Sequence, residues 1–490
     1  MATTPRTSQS HPLQIASVQS APGYGRIGIT FCPGKKQPAA MTGGWDRDVG
    51  LDVEAIAQWG AAAVITLIEP HEIEALGVQS LGQEVADRHL DWLHLPIPDV
   101  SVPGAQFEAA WARHGEGIRA RLRDGFNIVV HCKGGLGRAG TTAARLLVEF
   151  GMDPEQAIAE VRQVRPGAIE TAGQADYVRK LSPIEEPQPD RSEATRRDRA
   201  LGALVGLAVG DAVGTTLEFK SRDSYPRLTD MIGGGPFGLK PGQWTDDTSM
   251  ALALADSLIV DGDLDPADLM RRFVAWRDDG EYSCTGRCFD IGITVSGALS
   301  RFQRSGDPFA GSIDSETAGN GSLMRLSPVA LRHWQERDKL RDVAARQSQT
   351  THGAAEAVSA CVGYAEILAD AIEGRPRSEV LAPRGGLYAG KIGGILKGGW
   401  RGKLRQDVAS SGYVAHSLDA ALWSVGRTGD FRSAILTAAN LGGDADTTAA
   451  IAGQLAGALY GMSGIPAEWL SKLAWRERII EVGEALLITR

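Results

Sequence analysis

The sequence predicts two domains, an α/β domain followed by an all-α one. Three observations carry this. Up to residue 182, short apolar strand-like runs alternate with amphipathic helical patterns. From residue 197 to 490, strand signals nearly vanish and Ala- and Leu-rich segments of helical spacing take over. Between them, residues 183–196 are charged and poor in apolar residues, with Pro183, Pro187 and Pro189 close together, the composition of an exposed linker. A length of 490 residues also suits more than one domain at about 150 residues per domain.

Composition narrows the function classes. Hydrophobic residues are 43% and charged residues 23%, which excludes a wholly disordered chain. A net charge of −9 argues against general binding to a nucleic-acid backbone, which needs a basic surface. The 60 glycines follow no three-residue period, so they read as tight turns and close helix approaches. Cys32, Cys132, Cys284, Cys288 and Cys361 are too scattered for a disulfide framework, and no second pair completes a zinc site with Cys284 and Cys288. Residues 1–24 read as a flexible N-terminus without the apolar core of a signal peptide. The longest near-apolar run, Ala449 to Ala467, is interrupted by Gln454, Ser463 and Pro466, so no membrane association is expected. The expected location is the reducing cytoplasm, where a free thiol stays available for chemistry.

In the first half, IGITF (27–31), AAVITLI (62–68), WLHLPI (92–97) and NIVVH (127–131) are the candidate strands. LDVEAIAQW (51–59), FEAAWARHGEGIRARL (107–122) and TTAARLLVEFG (141–151) are the candidate helices. Cys132 stands where the last strand ends, and Lys133, Gly134, Gly135, Leu136 and Gly137 separate it from Arg138. Such a loop can turn several amides towards one point, and the helix that follows adds its positive end. An anion placed there is held by amides and by a guanidinium fork. The same field favours the thiolate of Cys132 as a nucleophile. A thiolate inside a phosphate cradle is equipment for a phosphocysteine intermediate. Asp99, in the loop after HLPIP, is the candidate general acid for the leaving oxygen. Gly135, Gly137 and Gly140 also spell a dinucleotide-type glycine motif. The next segment, MDPEQAIAEVRQV, reads as a helix instead of the second strand that motif requires.

HCKGGLGRAG, with HLPIPD upstream, VRQVRPGAIET downstream and FCPGKK near the start, resembles the cysteine-dependent dual-specificity phosphatases, notably the cyclin-dependent-kinase-inhibitor-3-like branch. The resemblance covers residues 25–182. It implies an α/β cysteine-phosphatase fold with Cys132 as nucleophile, Arg138 as phosphate clamp, Asp99 as general acid and Lys133, Gly134, Gly135 and Gly137 around the substrate phosphate. It implies no cofactor. Many members carry Ser or Thr directly after the arginine to help the thiolate leave, whereas this chain has Ala139, leaving Thr141 or a water to substitute.

In the second half, LGALVGLAVGDAVG, SMALALADSLIV, AAEAVSACVGYAEILADAI, HSLDAALWSV and DTTAAIAGQLAGALYG are the principal helical patterns. GQWTDDTSM, with Thr245, Asp246, Asp247 and Thr248, and GGDADTTAA, with Asp444, Asp446, Thr447 and Thr448, each read as the first turn of a helix. Acidic residues there cap the helix and complement its dipole. Adjacent carboxylates plus a threonine, twice over, exceed what capping needs. If the two starts converge, repulsion demands cations between them. All-oxygen ligands point to a hard ion, Mg²⁺ first, with Mn²⁺ or Ca²⁺ as substitutes, and four carboxylates suit two ions. Asp211 and Glu218 follow a Gly/Ala-rich helix, and Gly319 to Ala330 opens on a Gly/Asn/Ser turn.

These segments, with CFDIG, TTHGAA and GYVAHSLDAALW, resemble the ADP-ribosylglycohydrolases related to the dinitrogenase-reductase-activating enzyme, over residues 197 to about 475. The resemblance implies an all-α fold and a dinuclear Mg²⁺ or Mn²⁺ centre on Thr245, Asp246, Asp247, Asp444, Asp446 and Thr447. Glu218 falls where some relatives use an acid/base or gating glutamate, and Asn320, Gly321 and Ser322 fall on the ADP-ribose loop. His352 is a candidate substrate contact, against the alternative of a core histidine. Asp211 reads as structural or as support behind the metal ligands. The implied whole is a bifunctional hydrolase acting on ADP-ribosylated protein, nucleic acid or small molecules and on a phosphorylated substrate. The competing reading is an ADP-ribose-binding sensor that regulates a cysteine phosphatase.

Overall fold

The computed structural model describes residues 5–40 and 43–488. The chain divides into two compact units, with the change from one to the other at Pro187 and Gln188.

In the first unit the strands are β1 (Ala16–Val18), β2 (Ile27–Phe31), β3 (Lys36–Gln37), β4 (Trp45–Asp46), β5 (Ala61–Thr66), β6 (Asp91–His94) and β7 (Asn127–Cys132). Five of them form one sheet in the order β1-β2-β7-β5-β6, while β3 and β4 pair separately. β1 is antiparallel to β2, and the other neighbours run parallel. The helices are α1 (Val49–Gln58), α2 (Pro70–Ala75), α3 (Leu81–Asp87), α4 (Ala105–Arg123), α5 (Gly137–Glu149), α6 (Pro154–Val164) and α7 (Ala172–Arg179). Successive strand residues serve opposite faces. Ile65 and Val130 pack with Phe107, Trp111 and Leu146 on one side, and Val64 and Val129 with Val53, Ile56 and Leu81 on the other. β7 is therefore central and almost wholly buried. Its carboxyl end, where ligands gather in open α/β sheets, presents Cys132.

Two boundaries differ from the sequence reading. Residues 16–18, assigned to the flexible N-terminus, form an edge strand because β2 would otherwise expose its unpaired backbone; the strand is too short to show a period. The linker is also anchored at its start and ends earlier than 196. Ile184 N–H donates to Glu149 O at 3.0 Å, Glu186 pairs with Arg119 and Arg123, and Ser192 already caps the next helix.

The second unit consists of α8 (Glu193–Gly214), α9 (Asp246–Asp261), α10 (Pro266–Asp279), α11 (Ile293–Ser305), α12 (Ser327–His333), α13 (Arg337–Thr351), α14 (Ala355–Glu373), α15 (Arg377–Val380), α16 (Ile392–Gly394), α17 (Val414–Arg427), α18 (Phe431–Ala439), α19 (Ala445–Tyr460), α20 (Ala467–Lys472) and α21 (Arg476–Leu487), with short 3₁₀ and π turns between. It has no strand among the described residues. α8 and α19 run antiparallel in backbone contact. A Cβ at Gly202, Gly206, Gly210 or Gly214 would overlap the carbonyl of Gly457, Gly453, Ala449 or Ala445 respectively. Glycine at every fourth position of α8 thus brings the end of α8 to the start of α19. This crossing places Asp211 and Glu218 beside Asp444 and Asp446. Among the described residues, α8 with its following turn, not the 449–467 region, is the helix long and apolar enough to cross a membrane by length and composition. Its most apolar stretch is 94% buried, as expected of a core helix.

Candidate functional site

In the first unit, Cys132 is buried at the end of β7, and its sulfur accepts from the Gly135 amide at 3.3 Å. Gly135 is at φ +69, and a side chain there would run into the Thr30–Phe31 backbone, so only glycine lets the loop turn this tightly. Gly137 opens α5 and donates its amide to Glu170 at 2.8 Å. Arg165 holds the loop from outside, donating to the carbonyls of Gly135 at 3.0 Å and Gly134 at 3.2 Å. Lys133 is half-buried and Gly134 exposed. Arg138 is buried; its two terminal nitrogens bond both oxygens of Glu72 at 2.6 and 2.9 Å, and one also reaches Ile97 O at 2.9 Å. Asp99 lies 2.9 Å from Arg138 with half its side chain exposed. Cys132, Arg138 and Asp99, separated in sequence, therefore share one site. Burial opposes the ionisation of Glu72, yet the Arg138 hydrogen bonds hold its carboxyl below the usual range. His131 donates to or accepts from Thr66 at 2.8 Å, and burial lowers it to about 3, so it is neutral and supports the loop.

In the second unit, the two predicted helix starts converge. Thr245 Oγ1 donates to Asp211 at 2.9 Å and to Asp247 at 3.0 Å, and lies 3.4 Å from Asp446. Carboxylate oxygens of Asp211, Asp247 and Asp446 lie within 4.8 Å of one another, as do those of Glu218, Asp444 and Asp446. Asp446 belongs to both groups. Glu218 accepts from the amides of Ala445 at 2.7 Å and Asp446 at 3.3 Å, at the positive end of α19. Thr447 sends its hydroxyl towards Asp444. Asp246 is buried in the field of Asp247, Asp290 and Asp211.

The electrostatics describe a site short of positive charge. Burial and then carboxylate neighbours push Asp246, Asp247 and Asp446 well above the ordinary range. Burial raises Asp211 to about 6, Glu218 to about 7 and Asp290 to about 6. Asp247 Oδ1 is buried with no hydrogen-bond partner among the described residues. An orphaned carboxyl oxygen amid hard oxygen donors fits a divalent hard cation. The residues present can hold one.

Three predicted residues take different places. Asn320 faces the cluster by donating to Asp444 at 2.5 Å and Ser417 at 2.8 Å. Ser322 turns its hydroxyl into the core, onto Ser348 at 2.8 Å, so only its backbone remains for a ligand. His352 is not at the loop face: it is 2% exposed behind Gly319 and Gly321, where its ring fills the space a Cβ would need. Burial lowers it to about 3, making it a neutral brace. Gly321 is buried in the same turn.

The sequence reading missed Glu72, Glu170 and Arg165 in the first site and Asp290 in the second. Asp211 is buried and hydrogen-bonded at the end of α8, as the sequence reading has it. It accepts from four donors, the amides and hydroxyls of Thr245 and Thr248, and one of its oxygens also belongs to a carboxylate group. Asp290 lies in CFDIG, a segment visible in the sequence, but its backbone is left-handed at φ +61 and no regular periodicity marks it.

Residues 192–490 match the family described as ADP-ribosylglycohydrolase, and residues 37–181 match the one described as Swiss Army Knife protein, DSP-PTPase phosphatase domain. The chain is 48% identical over 296 residues to the ADP-ribosylarginine hydrolase Tri1 of Pseudomonas putida (strain GB-1), covering 59% of this chain and 78% of the relative. It is 45% identical over 294 residues to the protein of the same name from Serratia proteamaculans (strain 568), covering 60% and 80%. A solved structure titled ADP-ribosylglycohydrolase-related protein complex aligns with a TM-score of 0.53 at 41% identity, over 60% of this chain and 98% of that one.

Proposed function

The chain belongs to the ADP-ribosylglycohydrolase family, joined to a phosphatase domain of the dual-specificity type, and from this we propose a bifunctional hydrolase whose second unit releases ADP-ribose from arginine side chains. The observation that carries the proposal is Asp446, shared between two carboxylate groups that the chain assembles from remote segments. The relatives at 48% and 45% identity are named for arginine-linked substrates, which supports arginine as the acceptor. A sensor that binds ADP-ribose without turnover is not favoured by relatives named as hydrolases.

Asp211, Asp246, Asp247, Asp444, Asp446, Thr245 and Thr447 would hold two Mg²⁺ ions, with Mn²⁺ as an alternative. When bound, such ions supply Lewis-acid binding of ribose hydroxyls and of water. The chain's own groups do the rest. Asn320 fixes Asp444, and Asp211 fixes the Thr245–Thr248 turn, so the oxygen donors are preorganised. Glu218, beside Asp446 and accepting from the Ala445 and Asp446 amides, is placed to hold or pass a proton while the anomeric carbon passes through an oxocarbenium-like state.

In the first unit, Cys132 Sγ attacks phosphorus, the alkoxide leaves with a proton from Asp99, and water then releases phosphate from the thiol. Arg138, clamped by Glu72, binds two equatorial oxygens. Residues 37–181 carry the match that supports this.

Two assays on the full-length protein test the reading. Arginine-ADP-ribosylated peptide should yield free ADP-ribose with Mg²⁺ and none after chelation or in Asp446→Asn. Hydrolysis of p-nitrophenyl phosphate should vanish in Cys132→Ser while ADP-ribose release persists. Persistence of either activity in its own variant refutes the corresponding assignment.

A further inference from the structure

Three aromatic side chains meet beside the carboxylate cluster without any part in holding it. Phe219 directly follows Glu218, and Phe289 directly precedes Asp290. Phe237 bridges them, its ring 6.3 Å from that of Phe219 at 73° and 5.2 Å from that of Phe289 at 53°. Phe219 is 66% exposed although it is a large apolar residue. It also sits at φ +60, and Asp290 at φ +61, conformations that side-chain-bearing residues rarely adopt. The Phe219 amide donates to Gly443 O at 2.8 Å, which ties this strained turn to the loop before Asp444. Strain retained at an exposed aromatic next to a reactive site marks a surface kept for a ligand.

We propose that Phe219, Phe237 and Phe289 form the subsite for the departing acceptor, shaped for the planar guanidinium of an arginine side chain. The inference rests on the glycohydrolase reading above and specifies which residues meet the acceptor. Two arguments fix the occupant. The wall is apolar and flanked by the carboxyl groups of Glu218 and Asp290, so it suits a flat cation over a ring face. The acceptor is bonded to the anomeric carbon itself and so belongs on the carboxylate side, whereas adenine is separated from that carbon by a diphosphate and two riboses.

The test uses the full-length Mg²⁺-loaded protein and the variants Phe219→Ala, Phe237→Ala and Phe237→Leu. Steady-state kinetics with an arginine-ADP-ribosylated peptide are compared with the inhibition constant of free ADP-ribose. The expected result is a KM about ten-fold higher in each variant, with ADP-ribose inhibition unchanged. Loss of ADP-ribose affinity in parallel would place the nucleotide on the wall and overturn the proposal. So would full recovery in Phe237→Leu, which keeps bulk but removes the ring, or unchanged kinetics in all three. If wild-type protein releases no ADP-ribose from the peptide, the glycohydrolase reading fails separately. Calorimetric binding of ADP-ribosylarginine and ADP-ribose then decides the wall: a variant effect confined to the arginine-linked ligand upholds it, and equal effects overturn it.

Discussion

Replacing Asp446 by Asn should stabilise the metal-free protein and abolish its stabilisation by Mg²⁺, two effects of opposite sign from one isosteric change. Asp446 lies within 4.8 Å of Asp211 and Asp247 in one group and of Glu218 and Asp444 in the other. A fully ionised pair at that distance repels by about 3 kcal/mol at an effective dielectric constant near 20. Two such pairs would already consume much of the roughly 5–15 kcal/mol that stabilises an ordinary domain. The metal-free cluster must therefore take up protons, and the remaining repulsion that Asn removes is about 1–3 kcal/mol. Asn retains the acceptor for the Thr447 amide, at 2.7 Å in the native chain, and gains an N–H to offer a neighbouring carboxylate. The second unit should melt about 2–6 °C higher after chelation. The native protein gains about 2.7 kcal/mol at Mg²⁺ a hundred times its dissociation constant, while the variant gains nothing. Scanning calorimetry of chelated and Mg²⁺-loaded samples measures both. A variant that melts below the native protein without metal, or that keeps the Mg²⁺ shift, refutes the claim that repulsion at Asp446 is relieved by a cation.

Three further outcomes follow from particular contacts. Glu72→Gln removes the charge behind the two hydrogen bonds that aim Arg138, so kcat on p-nitrophenyl phosphate should fall by about 10- to 100-fold; an unchanged kcat would show that the loop alone orients the guanidinium. Gly453→Leu forces a side chain into the Gly206 backbone and should destabilise the second unit by about 3 kcal/mol or more, seen as an early melting transition by circular dichroism. His352 is neutral in the fold, lowered to about 3, whereas the unfolded chain binds its proton near the ordinary value, so stability is complete above about pH 6.5 and is lost as pH falls towards 3. His352→Gln should flatten that acid limb, read as the urea midpoint between pH 6 and 4; an unchanged limb would place the acid sensitivity elsewhere.

The parts legible in the sequence share a physical property: each is local or is forced by charge. The Cys132–Arg138 loop is one contiguous strand–turn–helix segment, so its chemistry can be read from spacing alone. The convergence of 245–247 with 444–447 was readable because neighbouring carboxylates at two helix starts need a reason beyond capping. The many glycines read as tight turns and close helix approaches; in α8 they bring Asp211 and Glu218 to Asp444 and Asp446, and Asp211 in turn holds Thr245. What could not be read depends on three-dimensional neighbours. Glu72 looks like a first-turn residue of a short helix, and its carboxylate does complete a capping box with Glu69; only the fold adds Arg138. Residues 16–18 become a strand because β2 offers an edge, not because three residues show a period.

Asp290 and His352 show why residue type alone misassigns roles at such a site. A histidine among polar residues can be a ligand contact or a core brace, and the fold makes it the brace; an aspartate among hydrophobic ones looks incidental, yet it hydrogen-bonds into the cluster at Asp446. Gly319 and Gly321 leave a space that only a side chain from behind can fill, and the His352 ring fills it, so its chemistry is spent on holding the turn that presents Asn320. Asp290 reaches the cluster because its backbone takes the left-handed conformation, which Asp tolerates better than most residues. That conformation interrupts any helical or strand pattern, so the feature that delivers the carboxylate also removes the periodic signal by which sequence reading finds it. The same reasoning applies to Phe219, whose exposed ring would read as a misplaced core residue were its backbone not turned to set it beside Glu218.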